Sequence, residues 1–182
     1  MNLGPLRHWA LSPDALLEIL RDISARNGPR VIEFGAGEST LAIAAPLCRM
    51  GGGSPLTVEH NPDFAAAVQR RVERQGLADR TRAVIPPMRN YPPWHGLPAF
   101  RSYDLGGLDE QFEVALVDGT IVAEFGNATR AVPLIWCLER PQNGASIFLD
   151  DANRPPERAI AKALRLDWTA LEIEHCQPRK AC

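Results

Sequence analysis

Arg30-Val31-Ile32-Glu33-Phe34-Gly35-Ala36-Gly37-Glu38-Ser39-Thr40 is the stretch that decides the fold. A short apolar run ends in an acid, and a tight Gly-x-Gly turn then opens a helix. Glycine lets the backbone approach a ligand closely at the carboxyl end of a strand, and the N–H groups of the helix start supply donors. A nucleotide-like cofactor would lie there.

The third glycine of a dinucleotide fingerprint is missing, because Thr40 stands three residues after Gly37. No pyrophosphate then has to pack against the helix start, and an acid before the glycines can serve a cationic amino-acid tail. The turn therefore favours S-adenosylmethionine over NAD.

Outward from this turn, punctuation marks alternating helices and strands. Ser12-Pro13 is an N-cap followed by a first-turn proline; Leu16, Leu17, Ile19, Leu20 and Ile23 then share one side, and Asn27-Gly28 stops the helix. Residues 30–34 read as the first strand, about 38–48 as a helix and Leu56-Thr57-Val58-Glu59 as the second strand. Asn61-Pro62 repeats the cap-plus-proline start for a helix that ends at Gly76. Further strands are expected at 82–85, 112–117 and 145–149, helices near 127–140 and 155–165, and a strand near 169–175. Near-continuous apolar strands separated by helices imply an α/β fold whose parallel sheet is covered on both faces.

With 182 residues, 45% hydrophobic and 23% charged, the chain can bury a core without staples, so one domain over 1–182 is expected. A net charge of −2 gives no electrostatic reason to expect nucleic acid or an anionic membrane as partner. Cys48, Cys137, Cys176 and Cys182 lie far apart with no C-x-x-C pair, which points to neither a zinc knuckle nor a disulfide framework. Idle thiols in a reducing compartment are the expectation. Residues 1–7 lack the layout of a signal peptide and no run approaches a membrane span, so a cytoplasmic location is expected.

Pro86 to Gln111 departs from this economy. Five prolines are interleaved with Met88, Tyr91, Trp94, His95, Phe100 and Tyr103, in a segment too long for an ordinary strand-to-helix link. Two readings stand: an acceptor-binding lid, or a loop whose aromatics tuck it onto the body.

Four motifs in order now carry a resemblance: Glu33 to Thr40, Val58-Glu59-His60-Asn61, Glu113-Val114-Ala115-Leu116-Val117-Asp118-Gly119, and Phe148-Leu149-Asp150-Asp151-Ala152-Asn153-Arg154. Together they resemble class I S-adenosylmethionine-dependent methyltransferases, in particular small bacterial methyltransferase-domain proteins. The resemblance implies a Rossmann-like methyltransferase fold with a mostly parallel sheet and a reversed final strand. The chain ends at Cys182, where that strand would begin, so the last strand is expected to be short or truncated.

The resemblance assigns Glu33, Gly35, Ala36 and Gly37 to the cofactor's methionine part, with Ser39 beside them at the helix start. Chemically, a carboxylate can pair with the ammonium while the turn approaches closely. Glu59, twenty-two residues after Gly37, ends the second strand, where it can accept both ribose hydroxyls; alternatively it faces the following helix dipole. His60 joins the cofactor set, and Asn61 is the N-cap of the next helix.

Asp118 and the pair Asp150-Asp151 should collect on the same edge as the glycine turn, with Asp118 also reaching the cofactor. Three acids there repel one another unless protonated, paired with arginine or neutralised by a divalent cation. Metal-dependent O-methyltransferases resemble this arrangement, which implies Mg²⁺ on Asp118, Asp150 and Asp151. They usually carry a lysine soon after the first acid, whereas Gly119-Thr120-Ile121-Val122 follows here. The competing reading is structural, with Asp151 as a helix cap and Arg130, Arg154 or Arg158 as the acids' partners.

His95 is the candidate general base with Asp118 as the other catalytic candidate; His8, His60 and His175 are placed less well. The expected activity is S-adenosylmethionine-dependent O-methylation of a small-molecule or glycan-like acceptor, assisted or not by Mg²⁺. Partners are expected to be that acceptor, without nucleic acid or membrane, with a homodimer left open. Two alternatives remain: a catalytically inactive methyltransferase-fold binding protein, and an NAD(P)-linked oxidoreductase.

Overall fold

Apolar runs bounded by glycine, proline and capping residues become helices and strands in alternation as far as residue 84. The computed structural model describes residues 11–120, 122–140 and 144–168. Helix α1 (Pro13–Ala25) starts where the Ser12 hydroxyl accepts the Ala15 N–H at 3.2 Å. Strand β1 (Val31–Phe34) leads through the glycine turn into α2 (Glu38–Met50). Strand β2 (Pro55–Val58) is followed by α3 (Pro62–Arg74), whose N-cap Asn61 Oδ1 accepts from Asp63 N and Phe64 N. Strand β3 (Arg82–Val84) precedes two strands that the sequence does not announce, β4 (Met88–Tyr91) and β5 (Phe100–Tyr103). Then come β6 (Val114–Val117), the short α4 (Val122–Phe125), α5 (Ala131–Glu139), β7 (Ser146–Leu149) and α6 (Pro155–Asp167). The strand expected near 169–175, His8, His175, Cys176 and Cys182 lie outside the described residues.

Five strands form one parallel sheet in the order β3-β2-β1-β6-β7. Alternation along the strands sorts the core. Ile32, Phe34, Leu56, Val58, Ala115 and Val117 face α5, α6 and the β4–β5 segment, whereas Val31, Val114 and Leu116 face α1 and α2. The far side of α2 packs on α3 through Leu41, Ala44, Ala45, Val68 and Val72.

Strands β4 and β5 pair antiparallel, Met88 with Tyr103 and Tyr91 with Phe100. This hairpin lies on the sheet face where Leu97, Phe100 and Tyr103 are buried with Trp136, Ile160 and Leu164. Its aromatics thus cover the sheet, in the layer where a crossover helix would otherwise sit. No helix among the described residues is long and apolar enough to cross a membrane.

Candidate functional site

Parallel strands bring every strand-to-helix turn to one edge. The hydrogen-bond ladder runs on into these turns: Gly35 N–H reaches Val58 O at 2.8 Å, Glu59 N–H reaches Val84 O at 3.0 Å, Asp118 N–H reaches Phe34 O at 3.0 Å and Asp150 N–H reaches Val117 O at 3.1 Å. The edge is therefore an ordered row carrying Glu59, the glycine turn, Asp118 and Asp150.

The two glycines of the turn serve different ends. Gly35 has φ +100°, and a Cβ there would fall 2.4 Å from Gly119 N, so β1 and β6 end in touching turns that leave room for no side chain. Gly37 is extended, and a Cβ would meet only Ser39 Oγ at 3.7 Å. Neither its backbone nor its neighbours demand glycine at 37, so the bare backbone opens a face to something outside the chain.

Thr40 takes up the place of the absent third glycine. Its Oγ1 accepts the Gly37 N–H at 3.0 Å and donates to Glu33 Oε2 at 2.6 Å, and Thr57 Oγ1 donates to the same oxygen at 3.2 Å. Glu33 is fully buried, and its Oε1 has no partner among the described residues. Burial pushes the Glu33 carboxyl up to about 7, against the lowering effect of the Ser39, Thr40 and Thr57 hydroxyls.

Glu59 is held at the rim from two sides, with Oε2 accepting the Ala36 N–H at 3.0 Å and Oε1 the Asn61 N–H at 2.8 Å. A carboxylate has about four acceptor sites, so capacity remains for a ligand. His60 Nδ1 lies 2.9 Å from Glu59 Oε1, but the angle makes no hydrogen bond. The His60 ring packs edge-on against Phe125 and Tyr103, at 5.0 and 6.1 Å between centroids.

Asp118, Asp150 and Asp151 present oxygens within 4.8 Å of one another. The buried Arg130 lies beneath them. Its guanidinium donates to Asp118 O at 2.6 Å and Asp150 O at 2.8 Å, and lies 3.4 to 3.6 Å from carboxylate oxygens of Asp118, Asp151 and Glu157. Arg154 pairs with Asp151 at 2.8 Å, whereas Arg158 is exposed. The helix after these acids is N-capped by Arg154 without a side-chain bond, so Asp151 serves the arginines and not the cap. Burial and the neighbouring Asp150 carboxylate push Asp118 up to about 8, in spite of Arg130. Asp151 is raised by the same two causes, offset by Arg154 and Arg130.

A family model described as a methyltransferase domain matches residues 32–152, from β1 to the acids after β7. The chain belongs to the methyltransferase-domain family. Sixty of its residues are 37% identical to ribosomal protein L11 methyltransferase of Salmonella arizonae, covering 33% of this chain and 20% of that protein. The chain thus spans about a fifth of the length of that curated relative. Among solved structures, the O-methyltransferase TomG of Streptomyces achromogenes, in complex with SAM, superposes with a TM-score of 0.60 at 18% identity, over 88% of this chain and 70% of that one. An O-methyltransferase of Bacillus cereus in complex with SAH gives 0.56 at 21% identity, over 90% and 73%. At these identities the likeness shows a shared Rossmann-like methyltransferase fold.

Within this methyltransferase domain, Gly35, Ala36, Gly37, Ser39, Glu59, His60, Asp118, Asp150 and Asp151 all come to one edge. His95 does not. It sits in the hairpin tip with φ 45°, and its Nε2 lies 2.8 Å from Oδ1 of Asp167, the last residue of α6. Helix α6 leaves the carboxyl edge and spans 13 residues, so its far end is about 20 Å from the acids. That distance removes His95 from the chemistry. Glu33 reaches the edge only from beneath, as a brace for the turn. Arg130, Tyr103, Thr40 and Glu157 complete the site; of these the sequence offered Arg130 only as a partner of the acids, Tyr103 only as a loop aromatic and Thr40 only as the residue in place of a glycine.

The Glu33 carboxyl makes stability depend on pH. Its folded-state value near 7 lies above the ordinary 4.5, so the folded protein binds the extra proton and stability falls as pH rises between them. Thermal melts from pH 5 to 8 should show Tm decreasing, and Glu33→Gln should flatten that slope; an equally steep slope in the variant would reject the assignment.

Proposed function

We propose that this methyltransferase domain binds S-adenosylmethionine along the carboxyl edge of its sheet and methylates an oxygen of a small-molecule or glycan-like acceptor. One observation carries the reading. Among the described residues, six buried side-chain atoms lack a hydrogen-bond partner, on Glu33, His60, Tyr103, Arg130 and Glu157. These five residues all belong to this edge or the layer directly beneath it. Folded proteins rarely leave such atoms unpaired, and their concentration at one place is the mark of a ligand site.

The donor set fits the cofactor. Glu59 is preset to accept ribose hydroxyls, and the open backbone at Gly37 admits a close ligand. When bound, the cofactor supplies a methyl group activated on a sulfonium. The chain's contribution is then orientation, since in-line placement of donor and acceptor accounts for much of the rate. A new C–O bond forms as the S–CH₃ bond breaks, and the acceptor's hydroxyl proton needs a base. Where no metal is held, Asp118 stands at the edge as the base, its carboxyl raised to about 8 by burial and Asp150. The likeness to the O-methyltransferases of Streptomyces achromogenes and Bacillus cereus supports oxygen as the acceptor atom.

The acids favour a further element. The carboxylates of Asp118, Asp151 and Glu157 lie against the guanidiniums of Arg130 and Arg154, and that of Asp150 lies within 4.8 Å of Asp118 and Asp151. Acids that repel one another and offer hard oxygen donors suit Mg²⁺, which would polarise an acceptor hydroxyl when bound. Turnover is expected to fall on chelation and to return with Mg²⁺, and Asp150→Asn should remove that dependence. Turnover indifferent to chelator would dismiss the metal while leaving the transferase reading in place.

Calorimetric titration with S-adenosylhomocysteine, S-adenosylmethionine and NAD⁺ tests the cofactor. Binding of the first two alone is expected. Binding of none would favour an interaction protein built on the same fold, and binding of NAD⁺ alone an oxidoreductase.

A further inference from the structure

The Tyr103 side chain ends where β1 and β6 meet. A Cβ built on Gly119 would lie 2.6 Å from Tyr103 Oη, 2.7 Å from Gly35 Cα and 2.9 Å from Gly35 N. The hydroxyl therefore abuts Gly119, next to the place where that turn touches the glycine turn. Tyr103 is fully buried, and Oη has no partner among the described residues.

The hairpin that carries Tyr103 satisfies its other hydroxyls. Tyr91 Oη donates to Tyr103 O at 2.8 Å, and Ser102 Oγ donates to Thr129 O at 2.5 Å. Phenylalanine would fill the Tyr103 site without stranding a polar atom, so packing alone does not account for the hydroxyl. Burial, with the carboxylates of Glu59 and Asp118, holds its pKa well above the ordinary range, and the group stays a neutral donor. What it lacks is an acceptor.

We propose that Tyr103 is a cofactor-contact residue whose hydroxyl donates to the carboxylate of the cofactor's methionine end, beside Gly119 on the β6 side of the glycine turn. The assignment deepens the cofactor reading above and rests on it. Glu59 lies on the β2 side of the glycine turn and is committed to the ribose, whereas Tyr103 Oη lies on the β6 side. The two contacts thus divide the ligand between nucleoside and amino acid. Tyr103 is buried and packs edge-on against the His60 ring, so contact with the hydroxyl requires that edge to open.

Tyr103→Phe separates this role from a structural one. Two ligands are titrated into wild type and variant: S-adenosylhomocysteine, which has the amino-acid tail, and 5′-methylthioadenosine, which lacks it. Thermal melts of the ligand-free proteins are recorded alongside. The variant should melt at or above the wild-type temperature, bind S-adenosylhomocysteine about ten- to a hundredfold more weakly, as for one hydrogen bond to a charged group, and bind 5′-methylthioadenosine unchanged. Equal weakening of both ligands, or of neither, would overturn the assignment. A lower Tm together with unchanged affinity would make the hydroxyl structural. Wild type that binds neither ligand would overturn the cofactor reading and this one together, whereas wild type that binds both leaves Tyr103 as the only point at issue.

Discussion

Replacing Glu59 with alanine is expected to weaken S-adenosylhomocysteine binding by a hundredfold or more while the domain stays folded. Each hydrogen bond from a ribose hydroxyl to an ionised carboxylate contributes about 1.5–3 kcal/mol, and about 1.4 kcal/mol is tenfold in affinity. Two such bonds therefore account for two to four orders of magnitude, roughly, on the same constants. The effect on the protein itself is expected to be smaller, because Glu59 engages only two part-buried N–H groups, of Ala36 and Asn61. Glu59→Gln sharpens the test: it keeps an oxygen for one of those N–H groups yet cannot accept both ribose hydroxyls. Calorimetry beside thermal melts distinguishes the two losses. Affinity left intact in either variant would remove Glu59 from the ribose.

Arg130→Leu should cost about 3–5 kcal/mol of stability, because Glu157, Asp118 and Asp151 then lose their counter-charge. The guanidinium also ties the ends of two neighbouring strands, through Asp118 O and Asp150 O. Lysine will not substitute, since a single ammonium cannot reach both carbonyls with a rigid planar fork. A drop in Tm of roughly 6–20 °C is the expected reading for a domain of this size. Arg130→Leu melting within a degree or two of wild type would show that the acids are neutralised by other means. Added Mg²⁺ should recover part of the lost stability if the exposed oxygens can gather a cation.

The parallel sheet and the glycine turn are legible in the sequence because each depends on local signals: apolar runs, Asn61 and Ser12 as caps, and a Gly-x-Gly after an acid. Proximity of Glu59, Asp118 and Asp150 follows from the parallel topology alone, since each ends a strand. Three features are not legible. The hairpin is hidden by its prolines, which read as a loop, although its pairing is fixed by burial of Phe100 and Tyr103 against the sheet. Thr40 reads as a missing glycine, because only three dimensions bring its hydroxyl between Gly37 and Glu33. His95 reads as a catalytic histidine on chemistry alone, whereas its partner Asp167 is 72 residues away and at the wrong end of a helix.

The topology also sets an order of assembly. Strand β1 pairs with β6 across more than eighty residues, Val31 with Val114, whereas β4 and β5 join across a short tip. A hairpin closes in about 1–10 μs, while distant parallel pairings wait on larger losses of chain entropy. Residues 31–61 already contain the glycine turn and Glu59, whereas Asp118, Arg130 and Asp150 arrive only when β6 and β7 dock. The glycine turn and Glu59 are thus close in sequence, whereas the acid cluster waits on pairings across more than eighty residues.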